Sequence, residues 1–172
     1  VALAAGRQFL WANEFRRDWT AHKNMFWQLS WRAPGLEKNT IVLVNEELTY
    51  YADNSLGAAL NWIYASQNHT SVIDFVLFYP TNRLGASLPE LQADVPVNYD
   101  YLAGTFSGNT SQAVVLYYAP PRCLRVLDPE IDSINRLIPD DTFLRDAASL
   151  SSTAPILSEQ TSQMPEVYYP EP

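Results

Sequence analysis

The sequence predicts an α/β fold in which a long N-terminal helix is followed by a βαβ unit and a β-hairpin, forming a mixed sheet of four to five strands with an irregular C-terminal tail. Residues 7–32 contain no Gly or Pro, which predicts an uninterrupted helix. Two apolar runs, 40–44 and 71–79, flank a helical pattern. The chain divides into three predicted parts: an aromatic basic helix over 1–35, an α/β body over 36–148, and a tail rich in Ser, Pro and Glu over 149–172.

The predicted N-terminal helix has two aromatic faces, and Pro34-Gly35 marks its end. At 100° per residue, six apolar side chains gather on one stripe: Trp11, Phe15, Trp19, Met25, Phe26 and Leu29. Phe9, Trp27 and Trp31 lie roughly opposite. One stripe is enough to pack a helix on a core, so the second face has two interpretations. Either loops of the same domain cover it, or the helix lies at a membrane interface.

Charge is distributed unevenly along the chain. Residues 1–32 carry a net charge of +3, whereas the whole chain carries −8, so the body is strongly acidic. An acidic body makes a nucleic-acid partner improbable, because phosphate binding needs a basic surface. Tryptophan at headgroup depth with Arg toward anionic lipid favours a membrane surface or upstream transmembrane helices as the partner. The predicted membrane-interface residues are Trp11, Arg16, Arg17, Trp19, Trp27 and Trp31.

The apolar opening residues 1–5 begin without an initiator Met or a basic region, and we interpret them as the end of a hydrophobic segment of a longer protein. No run of the sequence reaches the roughly 18 apolar residues needed to cross a bilayer.

The body begins with a βαβ unit. The β-branched run 40–44 predicts a buried strand, and a helix over 55–66 is expected after a cap at Asp53 or Asn54. The run 71–79 predicts a second strand that is parallel to the first.

Shorter elements follow the βαβ unit. Residues 99–106 and 112–118 flank a Gly-Asn turn signal at 107–111, which predicts a hairpin. Residues 123–127 predict a short edge strand, and a short helix is expected over 141–148. In the tail, Ile156, Leu157, Val167, Tyr168 and Tyr169 are apolar enough to attach it to the body.

The best candidate ligand site is the loop after the first strand, because ligands of open α/β sheets bind at the carboxyl ends of the strands. Carboxylates beside aromatic rings suit sugar hydroxyls and ring faces, and paired carboxylates can act as acid and base in glycoside hydrolysis. The alternative is a solvated acidic loop that only caps the helix. The candidate residues are Glu46, Glu47, Tyr50, Tyr51 and Asp53.

Other chemistry has weaker support. Asp18 and His22 are four residues apart and form either a general-base pair or a buried hydrogen-bonded pair. Cys123 lies near two arginines that would lower its pKa, or is a small core residue. We identify no cofactor motif, metal motif or catalytic residue.

Several stretches resemble bacterial multi-pass membrane proteins with glycosyltransferase-like membrane regions of the dolichyl-phosphate-mannose-transferase type. They are residues 15–19 (FRRDW), 26–36 (FWQLSWRAPGL), and 108–111 (GNTS) leading to 123–129 (CLRVLDP). The resemblance implies a soluble extracytoplasmic domain at the cell membrane, following the last membrane helix. The acidic catalytic residues of that class lie between membrane helices, and none maps onto this chain.

The sequence therefore favours a non-catalytic extracytoplasmic domain of a polytopic membrane protein, accessory to glycan transfer or recognition. Two alternatives stay open. One is a small α/β carbohydrate-active hydrolase that uses the carboxylates after the first strand. The other is an assembly module whose aromatic helix packs against a partner chain.

Overall fold

The computed structural model describes residues 2–45, 52–78, 92–101, 104–132 and 149–157. The chain opens with helix α1 (Ala2–Arg32), which begins earlier than the predicted 7–32 and ends where expected. Its last turn closes when the Ala33 amide donates to the Leu29 carbonyl at 2.7 Å. Pro34 then prevents the helix from continuing. The elements that follow are β1 (Gly35–Leu36), β2 (Thr40–Val44), α2 (Ala52–Tyr64), β3 (Phe75–Phe78), β4 (Pro96–Tyr101), β5 (Gly104–Asn109), β6 (Ala113–Tyr117), β7 (Arg125–Val126), α3 (Pro129–Asp132) and β8 (Ile156–Leu157).

The main sheet is mixed and has the strand order β3-β2-β6-β7. Strand β2 is parallel to both β3 and β6, and β7 pairs antiparallel with β6 at the edge. The α/β fold with a parallel β2-α2-β3 unit is therefore confirmed, and so is the predicted edge strand. Two further two-stranded sheets, β4-β5 and β1-β8, accompany the main sheet.

The central strands read as continuous apolar runs because both faces of the main sheet are buried. Val42, Val44 and Leu77 belong to a core with residues of α1 and α2. Ile41, Leu43 and Val76 belong to a second core, which includes Val97 and Phe106 of the β4-β5 hairpin. Alternate residues of one strand thus serve different cores, with helices packed on one face and the hairpin on the other.

The hairpin lies at a different place from the one predicted. Strand β4 pairs antiparallel with β5 up to Tyr101–Gly104, so residues 102–103 connect them and Gly108-Asn109 lie inside β5. Gly108 is needed for close packing rather than for a turn. A Cβ atom there would lie 2.7 Å from the Asn39 carbonyl oxygen and 2.6 Å from the Phe106 ring. Glycine is therefore required at position 108 because neighbouring atoms leave no room for a side chain, and not because the hairpin turns there.

Helix α2 is tied to β3 by one side chain. It spans Ala52–Tyr64 rather than 55–66, so Asp53 and Asn54 lie within the helix and not before it. The Asn61 amide donates to the carbonyls of Gly57 (2.8 Å) and Phe75 (2.6 Å). Its oxygen accepts from the amides of Asp74 (3.1 Å) and Phe75 (3.0 Å). All the hydrogen-bonding groups of this side chain are used, which fixes the beginning of β3 against α2.

The segment 149–157 crosses the sheet from β6 to β1. The Ser152 amide donates to the Ala113 carbonyl at 2.7 Å, and the buried Ser151 hydroxyl accepts from the Val115 amide at 3.2 Å. Further on, β8 pairs antiparallel with β1. The prediction that Ile156 and Leu157 attach the tail to the body is confirmed. The predicted helix at 141–148 and the tail residues Val167, Tyr168 and Tyr169 lie outside the described residues.

Candidate functional site

Among the described residues, helix α1 joins the core through its last turns. Met25 and Leu29 are fully buried, and Phe26 and Ala33 join them in the core. The Gln28 side-chain oxygen accepts from the Leu124 amide at 2.7 Å, and the Tyr64 hydroxyl donates to the Ala33 carbonyl at 2.7 Å. We call Met25–Ala33 the docked segment of the helix. Its apolar stripe and two hydrogen bonds fix the direction in which the helix leaves the body.

The preceding turns, residues 2–24, are largely exposed, with half-buried side chains at residues 13, 18 and 21–23, and we call them the projecting segment. At 1.5 Å per residue they extend over about 34 Å. The predicted stripe continues here, but Phe15 is 73% exposed, Trp19 is 51% exposed and Trp11 is 45% exposed. Phe9, Leu10 and Leu3 are also exposed. Large apolar side chains in water are unfavourable at roughly 25 cal/mol per Å² of apolar area, so this surface is suited to a partner.

Of the second aromatic face, Phe9 lies on the projecting segment, and Trp27 and Trp31 lie on the docked segment. Trp27 and Trp31 are both exposed and contact each other edge to face, with ring centroids 6.0 Å apart. Of the two sequence interpretations, cover by loops of the same domain is not seen among the described residues, where both rings remain exposed. The six predicted interface residues thus share one helix, although they do not share one face.

Basic side chains accompany the aromatic ones along the projecting segment. Arg16 and Arg17 are exposed, and the Arg7 guanidinium lies over the Trp11 ring, 5.1 Å from its centroid. Such a cation–π contact keeps the charge next to apolar surface. The arrangement presents positive charge and aromatic rings together, which are the groups that favour the headgroup region of a bilayer.

Asp18 and His22 lie in the last two turns of the projecting segment. The Nε2 atom of His22 is buried and has no hydrogen-bond partner among the described residues. Burial lowers the pKa of His22, and the nearby Asp18 carboxylate acts in the opposite direction. Burial thus favours the neutral form of the imidazole.

The predicted ligand-binding loop is mostly outside the described residues. That holds for Glu46, Glu47, Tyr50 and Tyr51, while Asp53 lies in the first turn of α2 with its side chain also outside them. At the described part of the same sheet edge, Phe78 contacts Tyr99 edge to face at 5.4 Å, and Tyr99 contacts Tyr101 at 4.6 Å between centroids. Among the described strands of the main sheet, β3 therefore ends in an aromatic ring that contacts the β4-β5 hairpin, and the predicted ligand site itself stays a prediction.

Cys123 is exposed and lies before β7 rather than inside it, so the interpretation as a core residue is wrong. Arg125 does not serve this thiol, because it forms an ion pair with the buried Asp132 at 2.5 Å. Asp132 also accepts from the Asp128 amide at 2.8 Å, which makes this carboxylate a structural group.

Within the described ranges, no group of three or more His, Cys, Asp or Glu side chains is placed to hold a metal ion. Nor does any helix of the described chain have both the length and the apolar character required to cross a bilayer.

Sequence reasoning missed the ion pair of Lys38 and Asp74, as it missed that of Arg125 and Asp132. The Lys38 ammonium lies 3.6 Å from the Asp74 carboxylate, whose side chain is only 8% exposed. The signal was available, since Asp74 interrupts the apolar run 71–79. A charged residue inside such a run indicates a specific buried partner or a site.

Comparisons of the chain with models of protein families, with curated proteins and with solved structures find no match.

Proposed function

We propose that α1 is a juxtamembrane helix that binds an anionic membrane surface and holds the acidic α/β body at the extracytoplasmic face of a cell membrane. In this proposal the chain is a non-catalytic part of a polytopic membrane protein. The observation that carries it is the exposure of Trp11, Phe15 and Trp19 beyond the body, interleaved with exposed arginines. The sequence resemblance to multi-pass membrane proteins is in keeping with this role.

Charge favours anionic lipid over the helix of a second copy as the occupant of this surface. The helix carries an excess of positive charge, while the body is strongly acidic. An anionic headgroup layer attracts the helix and repels the body, so the body is held away from the surface. Two parallel copies of the projecting segment would instead bring like charges together.

The experiment measures binding to vesicles by tryptophan fluorescence and co-sedimentation. Vesicles of phosphatidylcholine with phosphatidylglycerol are expected to bind the chain, with a blue shift in emission, and pure phosphatidylcholine vesicles are expected to bind more weakly. Trp19→Ser should weaken binding, whereas Trp62→Ser should not. The two residues make a matched pair, because they are 51% and 52% exposed and only the first belongs to the projecting segment.

Charge is tested in the same way with Arg16→Gln and with Arg122→Gln, an exposed arginine of the body. Each arginine near an anionic surface contributes about 1 kcal/mol, so Arg16→Gln should weaken binding roughly fivefold and Arg122→Gln should leave it unchanged. Equal effects of the two members of either pair would contradict the proposal. So would concentration-dependent self-association in analytical ultracentrifugation that is lost in Trp19→Ser, which would identify a second copy as the occupant.

A further inference from the structure

A groove lies at the amino ends of β2 and β3, on the side of the sheet away from the predicted ligand loop. Its volume is about 960 Å³, and its walls are β1 with the turn that follows, the end of α2 with residues 65–70, the beginning of β3, and Leu157 of β8. That volume is in the range of small-molecule sites, which is roughly 300–1,000 Å³. Four separate parts of the chain build the groove.

Hydrogen bonds from the side chains of Asn61 and Asn68 to neighbouring groups hold the walls of the groove in place. Asn61 fixes the backbone at Asp74 and Phe75, as described above. Asn68 donates to the Val72 carbonyl at 2.8 Å and accepts from the Thr70 hydroxyl at 2.7 Å, which closes the loop after α2. A ligand therefore meets a preformed surface and does not have to order it.

Asp74 and Lys38 are the charged groups best placed to contact a ligand in this groove. The Asp74 side chain is more than nine-tenths buried in the wall, and its described ion-pair partner is Lys38 at 3.6 Å. Lys38 is 77% exposed, so its ammonium is open to solvent while it faces the Asp74 carboxylate. A carboxylate accepts about four hydrogen bonds, so an Asp74 whose described partner is one ammonium at 3.6 Å keeps acceptor capacity for a ligand.

The chemistry of the groove selects the class of ligand. Asp74 and Glu37 oppose anions, and Lys38 already occupies the position that a cation would take beside Asp74. A neutral molecule that is rich in hydroxyl groups donates to Asp74 and accepts from Lys38 without displacing either. The half-buried Pro34 and Tyr64 add apolar surface for the C–H face of a ring. We infer that this groove binds a neutral saccharide of one to three units through Asp74 and Lys38.

The inference adds a ligand to the proposed membrane-bound domain and is tested without membranes. The chain is titrated separately with maltotriose, mannotriose and triacetylchitotriose, and amide shifts are followed by NMR. Saturable shifts at Lys38, His69 and Asp74 with at least one sugar are expected. Absence of saturable shifts with all three would overturn the inference. Stronger binding of ethanolamine or inorganic phosphate at the same amides would overturn it too, because the ligand would then be charged.

Two variants locate the binding groups. Asp74→Asn retains the shape of the side chain and should weaken binding about tenfold, the loss expected for a hydrogen bond to a charged group. Lys38→Gln should weaken it less and leaves the fold intact, because the lysine is exposed. Asp100→Asn on the exposed face of β4 is the control. Unchanged affinity in both groove variants would overturn the inference. Trp19→Ser should bind the sugar normally, which separates this test from that of the membrane proposal.

Discussion

The docked and projecting segments of α1 carry the same pattern but have different surroundings. Met25, Phe26 and Leu29 continue the stripe of Trp11, Phe15 and Trp19, yet the first three are buried and the last three are largely exposed. Helical periodicity states which side chains share a face and says nothing about what covers that face. Where a stripe continues past its core, the uncovered part identifies a surface available to another partner.

The largest expected effect is the difference in stability between a substitution in the docked segment and one in the projecting segment. Leu29→Ala should lower the free energy of unfolding by about 3 kcal/mol, because the fully buried side chain leaves a cavity. Phe15→Ala should change it by no more than about 0.5 kcal/mol, because the ring is exposed. Denaturant unfolding followed by circular dichroism measures both values. A loss of similar size for Phe15→Ala would show that the projecting segment packs on the body.

A smaller effect concerns the joint at the end of the helix. Tyr64→Phe removes the donor to the Ala33 carbonyl and should cost about 1 kcal/mol. Burial raises the pKa of Tyr64 above its ordinary value, so the unfolded chain loses this proton first. The stability is therefore complete below about pH 10 and decreases as the pH rises further. Unfolding at a series of alkaline pH values should show a flatter decline for Tyr64→Phe, and parallel declines would contradict the assignment.

The burial of His22, close to the junction of the two segments, can be tested through the pH dependence of stability. Burial lowers its pKa, so the unfolded chain binds a proton more readily than the folded chain does. The stability from the neutral histidine is present above about pH 6.5 and is lost as the pH falls through the lowered folded value. His22→Gln should lose less stability than the parent chain between neutral and mildly acidic pH. His69→Gln, an exposed histidine, is the control and should behave like the parent.

The smallest effect concerns the projecting segment alone. Arg7→Gln removes the cation from the Trp11 ring and should cost about 0.5 kcal/mol or less, because the contact is exposed. A slight loss of helicity at 222 nm is expected, with no change in the global unfolding midpoint. A shift in that midpoint would mean that the first turns of α1 are coupled to the core, against the comparison above.

Much of the fold was predictable because local signals agreed with tertiary demands. The run 40–44 is apolar throughout, and β2 occupies those residues with both faces buried. The hairpin was misplaced because Gly108 served close packing against Asn39, a neighbour that only the folded chain supplies. Helix α2 begins earlier than expected. Asp53 and Asn54 are residue types that favour the position just before a helix, but such residues can also adopt helical geometry inside its first turn.

The candidate sites also differ in how far the sequence alone predicted them. That the aromatic and basic residues of α1 lie together along one helix was predictable because a helix keeps neighbours in sequence close together. The groove around Asp74 was not, because residues 34–38, 63–70 and 157 meet there only after the sheet has formed. Asp74 gave a signal as a carboxylate inside an apolar run, but the sequence did not indicate that Lys38 would face it.

By itself the sequence determined the helix, its end before Pro34, the buried strands and the separation of a basic head from an acidic body. These features depend on local backbone preferences, on the spacing of apolar residues and on charge counts, none of which needs distant contacts. Only the tertiary structure decided how much of the aromatic stripe is covered and which polar groups surround the groove. Burial and ion pairing are properties of neighbours in space, and the folded chain alone defines those neighbours.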